Sequence, residues 1–148
     1  MPFTETRIKG RSLVRGMAQG EAIVAHQPLS FLGGVNPDSG VVTERGHALE
    51  GVCVTNKILV FPYGKGSTVG SYTIFAMAKK GTKPAGIINT RTESIIASGC
   101  VLAEIPLMDS FEKDPVQAIS NGDFVVMDAN HGFIIIRYAP GHEKPSTL

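Results

Sequence analysis

The stretch that most constrains the fold runs from an apolar strand through glycines into a helix: ILVFPYGKGSTVGSYTIFAMAKKG, residues 58–81. Its ILVF run predicts a strand that is buried on both faces. The segment Thr68–Lys80 predicts a helix that ends at Gly81, since Lys79 and Lys80 suit the negative end of the helix dipole and glycine suits a left-handed cap. A strand, a glycine turn and a helix in succession indicate an α/β domain.

The rest of the chain supplies further strands and a weaker helix. GMAQGEAIVAHQPLSF and AGIINT predict strands, ESIIASGCVLAEIPLM predicts a helix or a helix and then a strand, and NGDFVVMDANHGFIIIRY predicts a hairpin. This order predicts a mixed α/β fold with a small barrel-like sheet and flanking helices. The 148 residues fit a single domain, 1–148, in which we expect 1–10 and 140–148 to be flexible tails.

Charge and hydropathy argue against several classes of protein. The formal net charge of +1 and the lack of a Lys/Arg cluster speak against a nucleic-acid partner. No run approaches the roughly 18 apolar residues of a membrane span. The N-terminal MPFTETRIKG lacks the apolar core of a signal peptide, so we expect a cytoplasmic protein. Cys53 and Cys100 lie far apart and outside any CxxC pattern, which predicts buried free thiols and no metal site.

The glycine-rich junction does not match the common nucleotide loops. A phosphate-binding P-loop needs lysine directly before serine or threonine, whereas Lys65 is followed by Gly66. A dinucleotide loop reads GxGxxG, but Gly64, Gly66 and Gly70 give GxGxxxG, which is one residue too long. The junction therefore calls for another explanation.

Ser67, at the end of this junction, has two interpretations. Backbone N–H groups converge at a helix N-terminus, and they favour an anion there, either a substrate group or the ionised hydroxyl of Ser67 itself. Alternatively, Ser67 is only the N-cap of the helix and the glycines only make a turn. The motif alone leaves both interpretations open.

The other candidate groups give weaker signals. The histidines lie outside the junction and lack metal-ligand spacing, so they fit surface or hydrogen-bonded roles better than a phosphohistidine or zinc site: His26, His47, His131 and His142. The carboxylates form no clear acid/base pair: Glu44, Asp109, Glu112, Asp114, Asp123 and Asp128. Three loop arginines are possible anion clamps, although a solvated face suits them better: Arg15, Arg45 and Arg91. Cys100 as a nucleophile would need a histidine partner that the sequence does not reveal.

The helix after the junction lacks a polar face through its middle, YTIFAMA. A helix that is apolar all round is buried on more than one side. In a chain this small, we expect a partner to cover one of those sides, so that a charge at Ile74 or Phe75 would weaken assembly.

Three segments, LSFLGG, GKGSTVGS and IPLMD, carry a resemblance that extends over about residues 12–137. Together they resemble the small, swivel-domain subunit of the aconitase X family. The resemblance implies a swivelling β/β/α domain like the mobile domain of aconitases. It also implies a large catalytic subunit that holds a 4Fe–4S cluster, which acts as a Lewis acid on the leaving hydroxyl of a hydroxy-acid substrate.

The family also implies a role for Ser67. The serine that follows GxG in the swivel domain is the proton acceptor of aconitase-like dehydratases, and Ser67 stands at that position. By their position beside this base, we expect Lys65, Gly66, Thr68 and Ser71 to contact the substrate.

Two branches of the family differ in substrate. One dehydrates mevalonate 5-phosphate to an anhydromevalonate phosphate, and the other dehydrates cis-3-hydroxy-L-proline. The proline branch tends to follow GxGS with small residues or cysteine, whereas this chain reads GSTVGSY, so the phosphate branch is favoured. A non-catalytic binding or regulatory module on the same fold is the alternative of another class.

Overall fold

The structure is a computed structural model that describes residues 5–142. Within that range the chain forms twelve strands and three helices. The helices are α1 (Gly70–Lys80), α2 (Ser94–Ala103) and α3 (Pro115–Ala118). The strands are β1 (Glu5–Lys9), β2 (Arg11–Val14), β3 (Met17–Val24), β4 (Leu29–Ser30), β5 (Val35–Asn36), β6 (Val41–Val42), β7 (Ile58–Phe61), β8 (Gly64–Lys65), β9 (Gly86–Asn89), β10 (Leu107–Asp109), β11 (Phe124–Asp128) and β12 (Phe133–Arg137).

Eight of the strands form one mixed sheet, in the order β1-β12-β11-β3-β7-β9-β10-β2. The central strands β3, β7, β9 and β10 run parallel, and the flanking pairs are antiparallel. The two edge strands, β1 and β2, are consecutive in the chain and are separated only by Gly10. Because one residue joins both edges, the sheet curls round until its edges meet.

The predicted strand ILVF is β7, and all four of its residues are buried. Alternate side chains of a strand point to opposite faces of the sheet. Leu59 and Phe61 accordingly belong to one core cluster, beneath α1 and α2, while Ile58 and Val60 belong to a second cluster with β11 and β12. A core on each face explains why this strand shows no polar alternation.

Several predicted elements are confirmed. AGIINT contains the buried strand β9, ESIIASGCVLAEIPLM forms α2 and then β10, and the last strands, β11 and β12, pair as an antiparallel hairpin. Helix α1 ends as predicted, with Lys79 and Lys80 in its last turn and Gly81 in the left-handed conformation at φ 76°. Its start is corrected, because α1 begins at Gly70 rather than at Thr68.

The prediction that residues 1–10 form a flexible tail is corrected for the part of that segment that the structure describes. Glu5–Lys9 form the strand β1, which pairs with β12 at the far end of the chain and buries Ile8. At the other end, residues 139–142 form a turn that the His142 N–H closes on the Ala139 carbonyl at 3.0 Å, and His142 Nδ1 lies 2.7 Å from the buried Asp123 Oδ2. The remaining tail positions, 1–4 and 143–148, lie outside the described residues.

Candidate active-site loop

The loop that carries Ser67 leaves the carboxyl end of β7 and leads into α1. In sheets of this kind, ligand sites lie beyond the carboxyl ends of the parallel strands. The first part of the loop, β8, pairs in parallel with β4, so that Ser30 stands opposite Lys65. Two sequence segments that carried the resemblance, LSFLGG and GKGSTVGS, therefore form one structural unit.

Ser67 is exposed, and its hydroxyl oxygen accepts a hydrogen bond from the Val69 N–H at 3.3 Å. The alternative interpretation, in which Ser67 is only the N-cap of α1, is wrong, since the N-cap is Val69, whose side chain carries no polar group. The hydroxyl instead accepts from Val69, two residues further along the chain. Both residues lie in a turn in which the Gly70 N–H donates to the Ser67 carbonyl at 2.9 Å. The loop thus presents a surface hydroxyl with one amide donor directed at its oxygen.

Gly66, immediately before Ser67, adopts φ +89°, a conformation that side chains other than glycine rarely take. A Cβ atom there would also lie 2.5 Å from the Ser30 Oγ. Gly64 is similarly confined, because a Cβ atom would lie 2.6 Å from the Glu93 carboxylate, which accepts the Gly64 N–H at 3.1 Å. The same Glu93 caps α2, so helix α2 fixes the base of the loop.

Lys65 is held by Glu44, which the sequence had given no role. Its Nζ lies 2.7 Å from Glu44 Oε2, while Glu44 Oε1 accepts the Ser30 N–H at 2.9 Å. Burial would raise the pKa of Glu44, but the hydrogen bonds from Lys65 and Ser30 hold the pKa below its ordinary value. The partners of Glu44, Ser30 and Lys65, are distant from it in sequence. The only sequence signal near this contact was the segment LSFLGG, which contains Ser30.

The remaining predicted contacts, Thr68 and Ser71, differ in exposure, and Ser71 lies in the first turn of α1 rather than in the loop. Thr68 is exposed beside Ser67. Ser71 is buried, and its hydroxyl donates to the Thr68 carbonyl at 3.2 Å. The loop therefore brings Lys65, Gly66 and Thr68 to the surface next to Ser67, while the buried Ser71 of α1 supports the loop through its bond to Thr68.

Comparison with known proteins matches this arrangement to a family. The model of the aconitase X swivel domain matches residues 7–136. The crystal structure of Thermococcus kodakaraensis aconitase X in its holo-form is 44% identical, with a TM-score of 0.84, and the match covers 88% of this chain and 98% of that chain.

This chain belongs to the aconitase X family.

Its curated relatives include two archaeal proteins that are named phosphomevalonate dehydratase small subunit. The Methanosarcina mazei protein is 45% identical over 139 residues, which cover 93% of this chain and 96% of the relative. The Pyrococcus furiosus protein is 45% identical over 130 residues, which cover 88% of this chain and 95% of the relative. These matches extend over nearly the whole swivel domain.

The third segment of the resemblance, IPLMD, ends in an ion pair at the same edge of the swivel domain. Asp109, at the end of β10, accepts from Arg11 Nε at 2.8 Å and Nη2 at 2.9 Å, and from the Thr92 N–H at 2.8 Å. Burial would raise the pKa of Asp109, yet Arg11 and Thr92 hold the pKa below its ordinary value. Asn89, which is fully buried, links β9 to β7 by donating to the Phe61 carbonyl at 3.0 Å.

Exposed apolar side chains lie on and beside the Ser67 loop of this swivel domain: Tyr63 and Val69 belong to the loop, Tyr72 follows in α1, and Leu32 follows β4, which pairs with β8. They are 45% to 64% exposed: Leu32 at 48%, Tyr63 at 46%, Val69 at 45% and Tyr72 at 64%. We call these four residues the apolar rim. Single exposed apolar residues are ordinary, but a group of them around a candidate site is typical of a surface that another molecule covers.

The surface of α1 corrects part of the interface prediction. Ile74 is fully buried in the domain's own core, where it packs against Gly99 of α2, so it does not face a partner. Phe75 is half-buried, with Lys79 Nζ 5.3 Å from its ring centroid, and Tyr72 is the most exposed large apolar residue of this helix. The outward face of α1 therefore runs through Tyr72, Phe75 and Lys79.

The cysteines of this swivel domain have opposite environments. Cys100 is buried in the core beneath α1 and α2, as predicted, and burial raises the pKa of its thiol, which argues against a nucleophile. Cys53 is exposed, which corrects the prediction that both thiols are buried. Its thiol donates to the Thr55 hydroxyl at 3.3 Å.

The remaining candidates fit structural or solvated roles. His47 is buried between the Pro28 carbonyl and the Leu49 N–H, each 3.0 Å from a ring nitrogen. The three loop arginines are exposed: Arg15, Arg45 and Arg91. Of these, Arg91 lies beside the loop, because its N–H donates to the Pro62 carbonyl at 3.2 Å. Within residues 5–142, no helix is long and apolar enough to cross a membrane.

Proposed function

We propose that this chain is the small subunit of a two-subunit, aconitase-like hydro-lyase. The enzyme dehydrates mevalonate 5-phosphate to trans-anhydromevalonate 5-phosphate, and this chain supplies Ser67 as the general base. The observation that carries the proposal is the exposed Ser67 hydroxyl, held in a glycine-bounded loop at the carboxyl edge of the sheet. Its setting is a chain about 45% identical to proteins named phosphomevalonate dehydratase small subunit.

The proposed step of this chain is a proton transfer from carbon to the Ser67 oxygen. As the C–H bond breaks, its electron pair forms the new double bond, the neighbouring C–O bond breaks, and the hydroxyl group leaves as hydroxide with the electron pair of that bond. A serine is a poor base in water, but donors and cations around its oxygen favour the ionised form. The Val69 N–H supplies one such donor. We propose that Lys65, which lies two residues before Ser67 and pairs with Glu44, is the cation of the site, and that the exposed Gly66 and Thr68 contact the substrate.

The iron–sulfur cluster implied by the family does not fit this chain. Its two cysteines lie apart, one in the core and one on the surface. Across the described range 5–142, no three His, Cys, Asp or Glu side chains are grouped as a metal site requires. We therefore assign the 4Fe–4S cluster to the large subunit, and the active site becomes one that two chains complete.

The apolar rim supports a partner at this position. Its four members lie on or next to the loop that carries Ser67, so a large subunit that covers the rim would also cover the base. Two surface depressions, of about 370 and 210 Å³, are lined by other residues, near Gly10 and near Asn121. We propose a heterodimer or a higher assembly in the cytoplasm, in which this domain swivels against the large subunit.

The test is reconstitution with the large subunit under anaerobic conditions. The purified pair is given mevalonate 5-phosphate and, separately, cis-3-hydroxy-L-proline, and product formation is followed by NMR. We expect dehydration of mevalonate 5-phosphate by the pair and none by either chain alone. Turnover of hydroxyproline instead would assign the chain to the other branch of the family. Activity of this chain alone, or failure to bind a cluster-containing partner, would refute a two-chain site.

A further inference from the structure

Glu44 lies where the two segments of the candidate site meet. Each of its carboxylate oxygens accepts a hydrogen bond from a different segment. Oε1 accepts the backbone N–H of Ser30 at 2.9 Å, and Oε2 accepts from Lys65 Nζ at 2.7 Å. Ser30 and Lys65 are themselves opposite one another in the β4–β8 pair. One side chain thus links β4 to β8, and Gly66 and Ser67 directly follow β8 in the chain.

The backbone of Glu44 is fixed by the LSFLGG segment. The N–H groups of Thr43 and Glu44 both donate to the Gly34 carbonyl, at 2.8 and 3.2 Å. Gly34 has no space for a side chain, because a Cβ atom there would lie 1.9 Å from the Ser30 carbonyl oxygen. Nearby, the His47 ring bonds the Pro28 carbonyl just before β4. The carboxylate of Glu44 is therefore presented from a rigid support.

The contact between Ser30 and Gly66 carries this support to the catalytic hydroxyl. Ser30 Oγ occupies the space beside Gly66, and the Ser30 N–H is the group that Glu44 holds. Lys65 has three donor hydrogens on its ammonium group, of which the contact with Glu44 uses one. The Glu44 side chain is 17% exposed and that of Lys65 is 45% exposed, so the pair joins a largely buried carboxylate to a half-exposed lysine.

We propose that Glu44 is the positioning residue of the Ser67 loop: it holds β4 and the Lys65 ammonium together, and through them it fixes Gly66 and Ser67. This inference rests on the proposed function, since Ser67 is the group being positioned. Removal of the carboxylate frees Lys65, which has a long and flexible side chain, and loosens the contact between Ser30 and Gly66. The base then loses its alignment with the substrate.

The first experiment measures turnover of the reconstituted enzyme with mevalonate 5-phosphate. We expect Glu44→Gln to lower kcat by roughly 10- to 100-fold, since a misplacement of about 1 Å can cost 10²-fold, and to change KM less than kcat. Glu44→Asp keeps the charge and should recover part of the loss. The matched control is Glu21→Gln. It removes an exposed ion pair in which Lys57 Nζ lies 2.8 Å from Glu21 Oε1, close to the 2.7 Å of the Glu44 pair, and it should leave kcat unchanged.

A double-mutant cycle tests whether Glu44 acts through Lys65. Because the two side chains form one contact, Glu44→Gln combined with Lys65→Met should cost little more than the larger single loss. Additive losses would overturn the route through Lys65. Wild-type kcat in Glu44→Gln would overturn the positioning role altogether.

Hydrogen exchange of the backbone gives a readout that does not need activity. We expect Glu44→Gln to speed exchange in residues 64–69 of the full chain, while Glu21→Gln leaves those amides at their wild-type rates. If the wild-type pair fails to dehydrate mevalonate 5-phosphate, the proposed function falls and exchange alone decides the structural role of Glu44. Unchanged exchange in Glu44→Gln refutes that role. If Glu44→Gln folds poorly, Glu44→Asp replaces it in the exchange experiment and the same criterion applies.

Discussion

The hydroxyl oxygen of Ser30 occupies the space that a side chain on Gly66 would need, 2.5 Å from the position of a Cβ atom. Gly66→Ala should therefore suffer twice, from a left-handed backbone that costs about 1–2 kcal/mol and from the clash. Because the clash displaces Ser67, turnover should fall by about 100-fold. Denaturant unfolding and steady-state kinetics of the reconstituted pair measure the two effects.

Gly51→Ala is the control for that experiment. Gly51 has nearly the same backbone angle, φ +86°, but nothing lies within 4 Å of a Cβ atom there. It should lose stability comparable to the backbone contribution and keep its turnover. Equal kinetics for the Gly51 and Gly66 variants would show that the contact with Ser30 does not position the base.

Ser67→Ala separates the base from its local hydrogen bond. Since Ser67 does not cap α1, the free energy of unfolding should change by only about 0.5 kcal/mol, as for an ordinary surface substitution. Turnover should fall at least about 100-fold, because general-base catalysis typically contributes 10²–10⁴ in rate. Ser71→Ala reverses this pattern. Its buried hydroxyl donates to Thr68, so we expect a loss of about 1 kcal/mol in stability and near-normal kinetics.

Val69→Asp should weaken assembly with the large subunit, because it places a charge in the apolar rim. Val101→Asp is the matched control: Val101 is 63% exposed on α2, outside the rim, and the same charge there should leave assembly intact. Size-exclusion chromatography of the mixed subunits distinguishes the two. Ile74→Asp should fail to fold rather than fail to assemble, since Ile74 is fully buried. Equal assembly of both valine variants would move the interface elsewhere.

Asp109 should make the stability of the domain depend on pH in the acid range. Its pKa in the folded chain is below the ordinary value of about 3.9, so its stabilising effect is complete above that value and is lost as pH falls through the folded pKa. Asp109→Asn should lower stability at neutral pH, because the buried partner of Arg11 loses its charge, and should flatten the loss at acid pH. Urea unfolding between pH 3 and pH 7 measures both. An identical pH dependence in wild type and variant would exclude Asp109 as its source.

Substrate charge gives a prediction at the level of the assembled enzyme. If the substrate is a phosphate ester, inorganic phosphate should compete with it, and KM should rise with ionic strength because salt screens the attraction. Sodium chloride at the same ionic strength is the control, since it screens without occupying a phosphate site. Competition no stronger than this control would favour a substrate without phosphate.

Local patterns predicted the elements that neighbouring residues determine. The strand β7, the end of α1 at Gly81 and the β11–β12 hairpin follow from apolar runs and turn residues that lie close in sequence. The strand β1 was not predicted, because ETRIK is polar except for Ile8 and its partner β12 lies more than 120 residues further along the chain. Pairing over such a distance leaves no signal in either segment alone.

The candidate site divides in the same way. Ser67 and Gly66 could be found from the junction and the resemblance, because both lie in one short segment. Glu44 could not, since its contacts with Ser30 and Lys65 exist only after β4 and β8 pair. The start of α1 was misjudged because a serine in a turn and a serine at an N-cap look alike in sequence, and only the hydrogen bond to Val69 distinguishes them.

The position of Gly10, between the two edge strands β1 and β2, has a consequence for aggregation. Since β1 and β2 cover opposite edges of the sheet and follow one another in the chain, loss of residues 5–14 would uncover both β12 and β10 in one event. An open edge of apolar strands, such as FIIIR in β12, offers unpaired backbone groups to other chains. A short N-terminal segment that looks dispensable in sequence therefore protects this protein from pairing with copies of itself, and proteolytic trimming at that end should be followed by precipitation.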